Sequence, residues 1–155
     1  MKLLNLQQPK KIKNHKKEMI TRIKIAIVGS RVYTNNLRIK NFIYELKVKY
    51  KDEVEIVSGG QKEGADGYAK KYALELGMNY KEFPPAHYNW NMHCVRPAGE
   101  YKKPFYISNY HKRNKQIVDY SDIIVAFMPE GISTKGTMST LRYAESEKKL
   151  VKILN

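Results

Sequence analysis

The feature that most constrains this chain is an alternation of two periods. Residues 22–31 (RIKIAIVGSR) form a short β-branched run that ends in a glycine turn. From Asn35 to about Lys49, Ile39, Ile43, Leu46 and Tyr50 recur at helical spacing. A second strand, 53–60 (EVEIVSGG), ends in two glycines, and a helix from about Ala65 to Leu76 follows, stopped by Gly77. Residues 79–83 (NYKEF) predict a third strand, closed by Pro84-Pro85. After a break, His111–Tyr120 predicts a helix, 122–128 (DIIVAFM) an apolar strand, 131–149 a loop and helix, and 150–154 (LVKIL) a last strand. Such alternation means a parallel sheet with helices on both faces. The expected fold is α/β: a Rossmann-like three-layer sandwich around a five-stranded, mainly parallel sheet.

Two segments interrupt the rhythm. Residues 84–110 are rich in Pro, Asn, Tyr, Trp and His and show no period, which predicts an inserted loop longer than ordinary connections and a lid. Residues 1–18 hold six lysines and one glutamate, with little apolar periodicity. They read as a basic N-terminal arm, flexible or a marginal helix, ahead of a single domain over residues 19–155. A chain of 155 residues can bury a core without disulfides or metals.

The chemistry is expected in the loops. In an open α/β sheet, ligands bind outside the C-terminal strand ends, where the strand order reverses. Three such ends carry small or polar residues: Gly29-Ser30-Arg31, Ser58-Gly59-Gly60 with Gly64-Ala65-Asp66 after it, and the run from Gly131 to Thr137 containing Ser133, Lys135 and Gly136. Glycines let backbone N–H groups approach an anion, a following helix N-terminus adds unpaired donors, and arginine binds phosphate in a fork. Each loop alone is also a plain tight turn or a helix cap; three at one sheet edge point to a phosphate or nucleotide site. No GxxxxGK[ST] run is present, and the first turn lacks GxGxxG spacing, so neither a P-loop ATPase nor the standard dinucleotide fingerprint fits.

These residues resemble a known family. IVGSRxY (27–33), VSGGxxxGADxxAxxYAxExG (57–77), RNxxIxxxSDxxxAF (113–127) and GxSxxGT (131–137) together resemble the SLOG superfamily, and more narrowly its YspA/YpsA-related branch, common in bacteria and phages. The resemblance spans roughly Ile23 to Ile153. It implies a Rossmann-like fold that binds nucleotides or nucleotide-derived ligands. Relatives include the lonely-guy phosphoribohydrolases and the DNA-processing protein A family, which binds single-stranded DNA. In the phosphoribohydrolases a GGxGTxxE motif ends in a catalytic glutamate; Thr140 stands in that place here, and a hydroxyl cannot replace a carboxylate as general base. The acids left for such chemistry are Asp66, Glu63 and Glu82, with Asp66 the best placed.

The expected ligand-binding set is Gly29, Ser30, Arg31, Tyr33, Ser58, Gly59, Gly60, Gly64, Asp66, Arg113, Asn114, Ser133, Lys135, Gly136 and Thr137, with Asp66 and Glu63 as candidate catalytic acids. Arg113 and Asn114, at a helix start, either reach a phosphate or tie loop to sheet. The aromatic residues Tyr88, Trp90, Tyr101, Phe105, Tyr106 and Tyr110 either stack on a base or pack the insertion down. His87, His93 and Cys94 match no usual zinc spacing, so no metal and no cofactor are expected. A lone cysteine and the lack of a signal peptide or membrane span suggest a cytoplasmic protein without membrane partners.

Three functions compete. The first is binding of a nucleotide or nucleotide-derived small molecule, as a sensor or as an N-glycosidase-like enzyme. The alternative is a single-stranded nucleic-acid-binding protein, suggested by the net charge of +14 and the basic arm. The third is a partner-binding protein with a vestigial site. The resemblance also implies a possible homodimer.

Overall fold

The structure, a computed structural model, describes Leu4 and residues 11–14, 17–130, 132 and 134–155, with side chains described from residue 21 onward and at Leu4. A hairpin comes first: β1 (Lys11–Asn14) pairs antiparallel with β2 (Lys17–Ile20). The lysine-rich segment therefore carries a strand pair where a marginal helix was one expectation. Leu4 is buried against the main core, and the Tyr50 hydroxyl donates to its carbonyl at 3.0 Å.

Five parallel strands then form one sheet. They are β3 (Ile23–Gly29), β4 (Val54–Ser58), β5 (Asn79–Glu82), β6 (Ile123–Phe127) and β7 (Leu150–Leu154), in the order β5-β4-β3-β6-β7. Helices α1 (Asn36–Tyr50), α2 (Gly64–Glu75), α3 (Ile107–Tyr120) and α4 (Lys135–Ser146) connect them. The expected Rossmann-like α/β sandwich with a five-stranded parallel sheet is what the chain forms.

Strand periodicity divides the core. Ile25 and Ile27 of β3 pack with Ile39, Phe42 and Ile43 of α1 and Ala65 and Ala69 of α2. The intervening Ala26 and Val28 pack with Ile117 and Val118 of α3 and Leu141 and Ala144 of α4. Helices thus cover both faces, which is why the central strands are apolar without alternation. α1 starts where Asn35 accepts a hydrogen bond from the Arg38 amide at 3.3 Å.

Two boundaries differ from the sequence reading. α3 begins at Ile107, a turn before His111. Its first turn hides its period because Ile107 is exposed while Asn109 is buried, its side-chain amide donating to the Pro104 carbonyl at 3.3 Å. The 84–110 insertion is also more structured than a bare loop. It contains a single 3-10 turn at Ala98–Glu100, and Cys94 bridges Glu82 in parallel fashion. The Glu82 amide donates to the His93 carbonyl at 3.0 Å and the Val95 amide to the Glu82 carbonyl at 3.3 Å. The insertion therefore covers the open edge of β5, which would otherwise present unpaired backbone groups. Among the described residues, no helix is long and apolar enough to cross a membrane.

Candidate functional site

The strand order places the switch point between β3, whose chain leaves toward β4, and β6 on its other side. A cleft of about 330 Å³ opens there. Its walls come from the turn after β3 (Gly29, Ser30, Arg31), from α2 (Asp66), from α3 (Tyr110, Arg113, Asn114) and from the start of α4 (Thr134, Gly136, Thr137, Thr140). Of the expected set, the cleft brings together Gly29, Ser30, Arg31, Asp66, Arg113, Asn114, Gly136 and Thr137.

Arg113 is the most constrained of these side chains. It is only 3 % exposed. Its Nη1 donates to the Gly59 carbonyl at 3.1 Å and its Nε to the Asn114 side chain at 2.8 Å. Its Nη2 has no hydrogen-bond partner among the described residues. Arg31 is exposed, and its Nε donates to the Gln61 side-chain oxygen at 3.2 Å. The two guanidinium groups each lie 5.5 Å from the Tyr110 ring centre. That ring keeps two like charges near each other, as an aromatic face attracts cations.

Asp66 sits opposite. It is 8 % exposed, and its carboxylate has neither an ion pair nor a hydrogen bond among the described residues. Burial pushes its pKa up from 3.8 to about 6, against the pull of Arg113 and Arg31 and with a smaller push from Glu82. Between Asp66 and Arg113 lies Gly59. A Cβ there would stand 2.2 Å from Arg113 Nη1 and 2.7 Å from Asp66 Oδ2, so any side chain would have to push one or both away.

The start of α4 supplies backbone donors. Thr134 caps the helix, accepting from the Thr137 amide at 3.3 Å, while the Lys135 and Gly136 amides have no partner among the described residues. Space beside Gly136 is open. Thr140, in the position of the relatives' glutamate, lines the cleft but donates its hydroxyl to the Gly136 carbonyl at 3.0 Å.

Other expected residues lie elsewhere. Tyr33 is buried in the core with its ring edge-on to Phe127, and burial raises its pKa. Ser58 is fully buried and braces the backbone, donating to the Asp66 carbonyl and accepting from the Gly60 amide, each at 3.1 Å. Gly64 packs against the Ser30 carbonyl, and Lys135 is exposed at the α4 start. Ser133 lies outside the described residues.

A second cleft, of about 510 Å³, shares Arg31 and Gln61 with the first. Gly60, Lys62, Glu63, Lys70, Glu82, Pro84, Tyr88, Asn89 and Asn91 complete it, so Glu63 and Asp66 face different clefts. Glu82 is 2 % exposed; it pairs with Lys70 at 2.9 Å, accepts from the Tyr80 hydroxyl at 2.9 Å and accepts from the Asn91 amide nitrogen. The sequence reading missed Gln61, a variable position inside the 57–77 motif, and Asn89 and Asn91, polar residues of the insertion with no motif around them, and it weighed Thr140 only by family position. His87 packs among Tyr88, Phe105 and Tyr110, whereas His93 packs on Tyr80. Among the described residues, no three His, Cys, Asp or Glu side chains converge as a metal site.

No protein-family model and no curated protein matches the chain. Solved structures do. The molybdenum cofactor binding protein from the phototrophic bacterium Rippkaea orientalis superposes with a TM-score of 0.67 and 18 % identity, over 88 % of this chain and 78 % of that one. The molybdenum cofactor carrier protein of Chlamydomonas reinhardtii gives 0.60 and 19 %, over 85 % and 76 %, and another structure of it gives 0.57 and 20 %, over 86 % and 76 %. At such identities the likeness establishes a shared fold: the chain is built on the same Rossmann-like α/β scaffold as these small-molecule cofactor proteins.

Proposed function

We propose that the chain binds a phosphate-bearing nucleotide or nucleotide-derived ligand, with the phosphate in the cleft between the β3 and β6 ends. The observation that carries this reading is the convergence of Arg31, Arg113 and Gly136, whose amide has no partner among the described residues, on one cleft at the switch point. The motifs quoted for the SLOG superfamily supply most of that lining, which supports the assignment to it. The structures that share the fold are named for binding or carrying the molybdenum cofactor, so that cofactor joins the ligand set to be tested.

Of the acids available for bond cleavage, Asp66 faces this cleft and ionises near neutral pH, and Glu63 does not face it. A hydrolytic role would therefore fall to Asp66, not Glu63. The test is a thermal-shift screen with nucleoside mono-, di- and triphosphates, nucleosides, the molybdenum cofactor and short single-stranded DNA. A ligand that binds only the folded state must raise the melting temperature. Stabilisation by phosphorylated ligands and not by nucleosides supports the reading; stabilisation by DNA alone, fading with salt, favours the nucleic-acid alternative. Hits are then assayed for release of free base, with Asp66→Asn expected to abolish any turnover and retain binding.

A further inference from the structure

We propose that the second cleft, walled by the 84–110 insertion, holds the hydroxyl groups of a sugar whose phosphate occupies the first cleft. The inference rests on the reading above. Arg31 and Gln61 line both clefts, so one ligand can span them, and their volumes suit a small organic ligand.

The two clefts differ in chemistry. The first offers arginines and the Gly136 amide, which has no partner among the described residues: the equipment for an anion. The second centres on Glu82, a buried carboxylate that would repel a second phosphate. Around it stand Asn89, Asn91 and Lys70, groups that accept from and donate to hydroxyls. The Tyr88 ring, 47 % exposed, adds a flat apolar surface for a sugar's carbon face.

This cleft is also fixed in advance. Gly60 has φ +69°, and a Cβ there would lie 2.1 Å from Glu82 Oε1, so glycine is required for the carboxylate to stay in place. Asn91 is clamped: its side-chain oxygen accepts from the His93 backbone amide at 2.8 Å, and its own backbone amide donates to Cys94 Sγ at 3.3 Å. Residues 93–95 in turn bond to the β5 edge. A buried polar site held this way discriminates strongly for the hydroxyl it is built to bond.

Calorimetric titration with inorganic phosphate and with ribose 5-phosphate tests the proposal. Ribose 5-phosphate is expected to bind at least tenfold more tightly. Asn91→Ala should remove that gain and leave phosphate affinity unchanged. Because Asn91 also bonds Glu82, a second variant, Tyr88→Ala with Asn89→Ala, leaves the Glu82 network intact and should cut the gain severalfold. If ribose 5-phosphate binds no better than phosphate, or the gain survives in every folded variant, the sugar site is overturned while the phosphate site stands. If neither probe binds, both readings fall.

Discussion

Arg113 reaches across 54 residues of sequence to donate to the Gly59 carbonyl at 3.1 Å, and the absence of a side chain at Gly59 is what lets it do so. This contact joins α3 to the end of β4 and sets the guanidinium beside Asp66. Gly59→Ala should therefore displace Arg113. Overpacking of this kind costs about 1–3 kcal/mol, and phosphate affinity should fall at least tenfold. Chemical denaturation and calorimetry on the same variant check both outcomes.

The two arginines should separate by experiment. Arg31 is exposed, so Arg31→Ala should weaken ligand binding about tenfold with little change in stability. Arg113 is buried and bonded twice, so Arg113→Ala should lose binding and about 2–4 kcal/mol of stability, leaving the Gly59 carbonyl and Asn114 without their donor. Paired melting curves and titrations distinguish the two patterns.

Asp66 gives a pH signature. It ionises at about 6 in the fold against 3.8 ordinarily, so the folded chain holds its proton longer than the unfolded one. Its contribution to stability is highest below about pH 4 and declines as the pH rises to about 6, by on the order of 3 kcal/mol. Asp66→Asn should gain stability relative to the parent over that window. Its neighbours are Arg113, Arg31 and, more weakly, Glu82. Sulfate, whose charge is constant from pH 5 to 8, should bind more tightly at pH 5 than at pH 8, and the variant should flatten that difference.

Among the described residues, Lys70 is the one cation paired with the buried Glu82. Lys70→Met should leave that carboxylate with only Tyr80 and Asn91 as donors, at a cost of about 1–3 kcal/mol. Lys40→Met, at the exposed pair with Glu75, should change stability by less than about 1 kcal/mol. Denaturant titration compares the two.

The fold was legible because β3, β4 and β6 are short apolar runs separated by helices with clear stripes. Ile39, Phe42, Ile43 and Leu46 of α1 declare their buried face directly. The lining of the candidate cleft was legible where glycine and charge coincide, at Gly29–Arg31 and at Arg113. It was obscure where residues act through tertiary contact. Tyr33 looked like a ligand contact beside Arg31, yet the turn after β3, closed by the Tyr33 amide donating to the Ser30 carbonyl at 3.2 Å, carries its ring into the core against Phe127. Glu82 and Asn91 meet only because the insertion folds back onto β5, a pairing without local signature. Lysines around Lys11–Asn14 and Lys17–Ile20 likewise masked a strand pair, since charge dominates the period of such short segments.

The most direct measurement is the binding of a nucleoside monophosphate, by calorimetry, to the parent protein and to Arg31→Ala at equal ionic strength. One site per chain is expected, at least tenfold weaker in the variant, with the unphosphorylated nucleoside bound poorly or not at all. Equal affinity for nucleotide and nucleoside, or a variant that binds like the parent, would contradict a phosphate site at the strand ends.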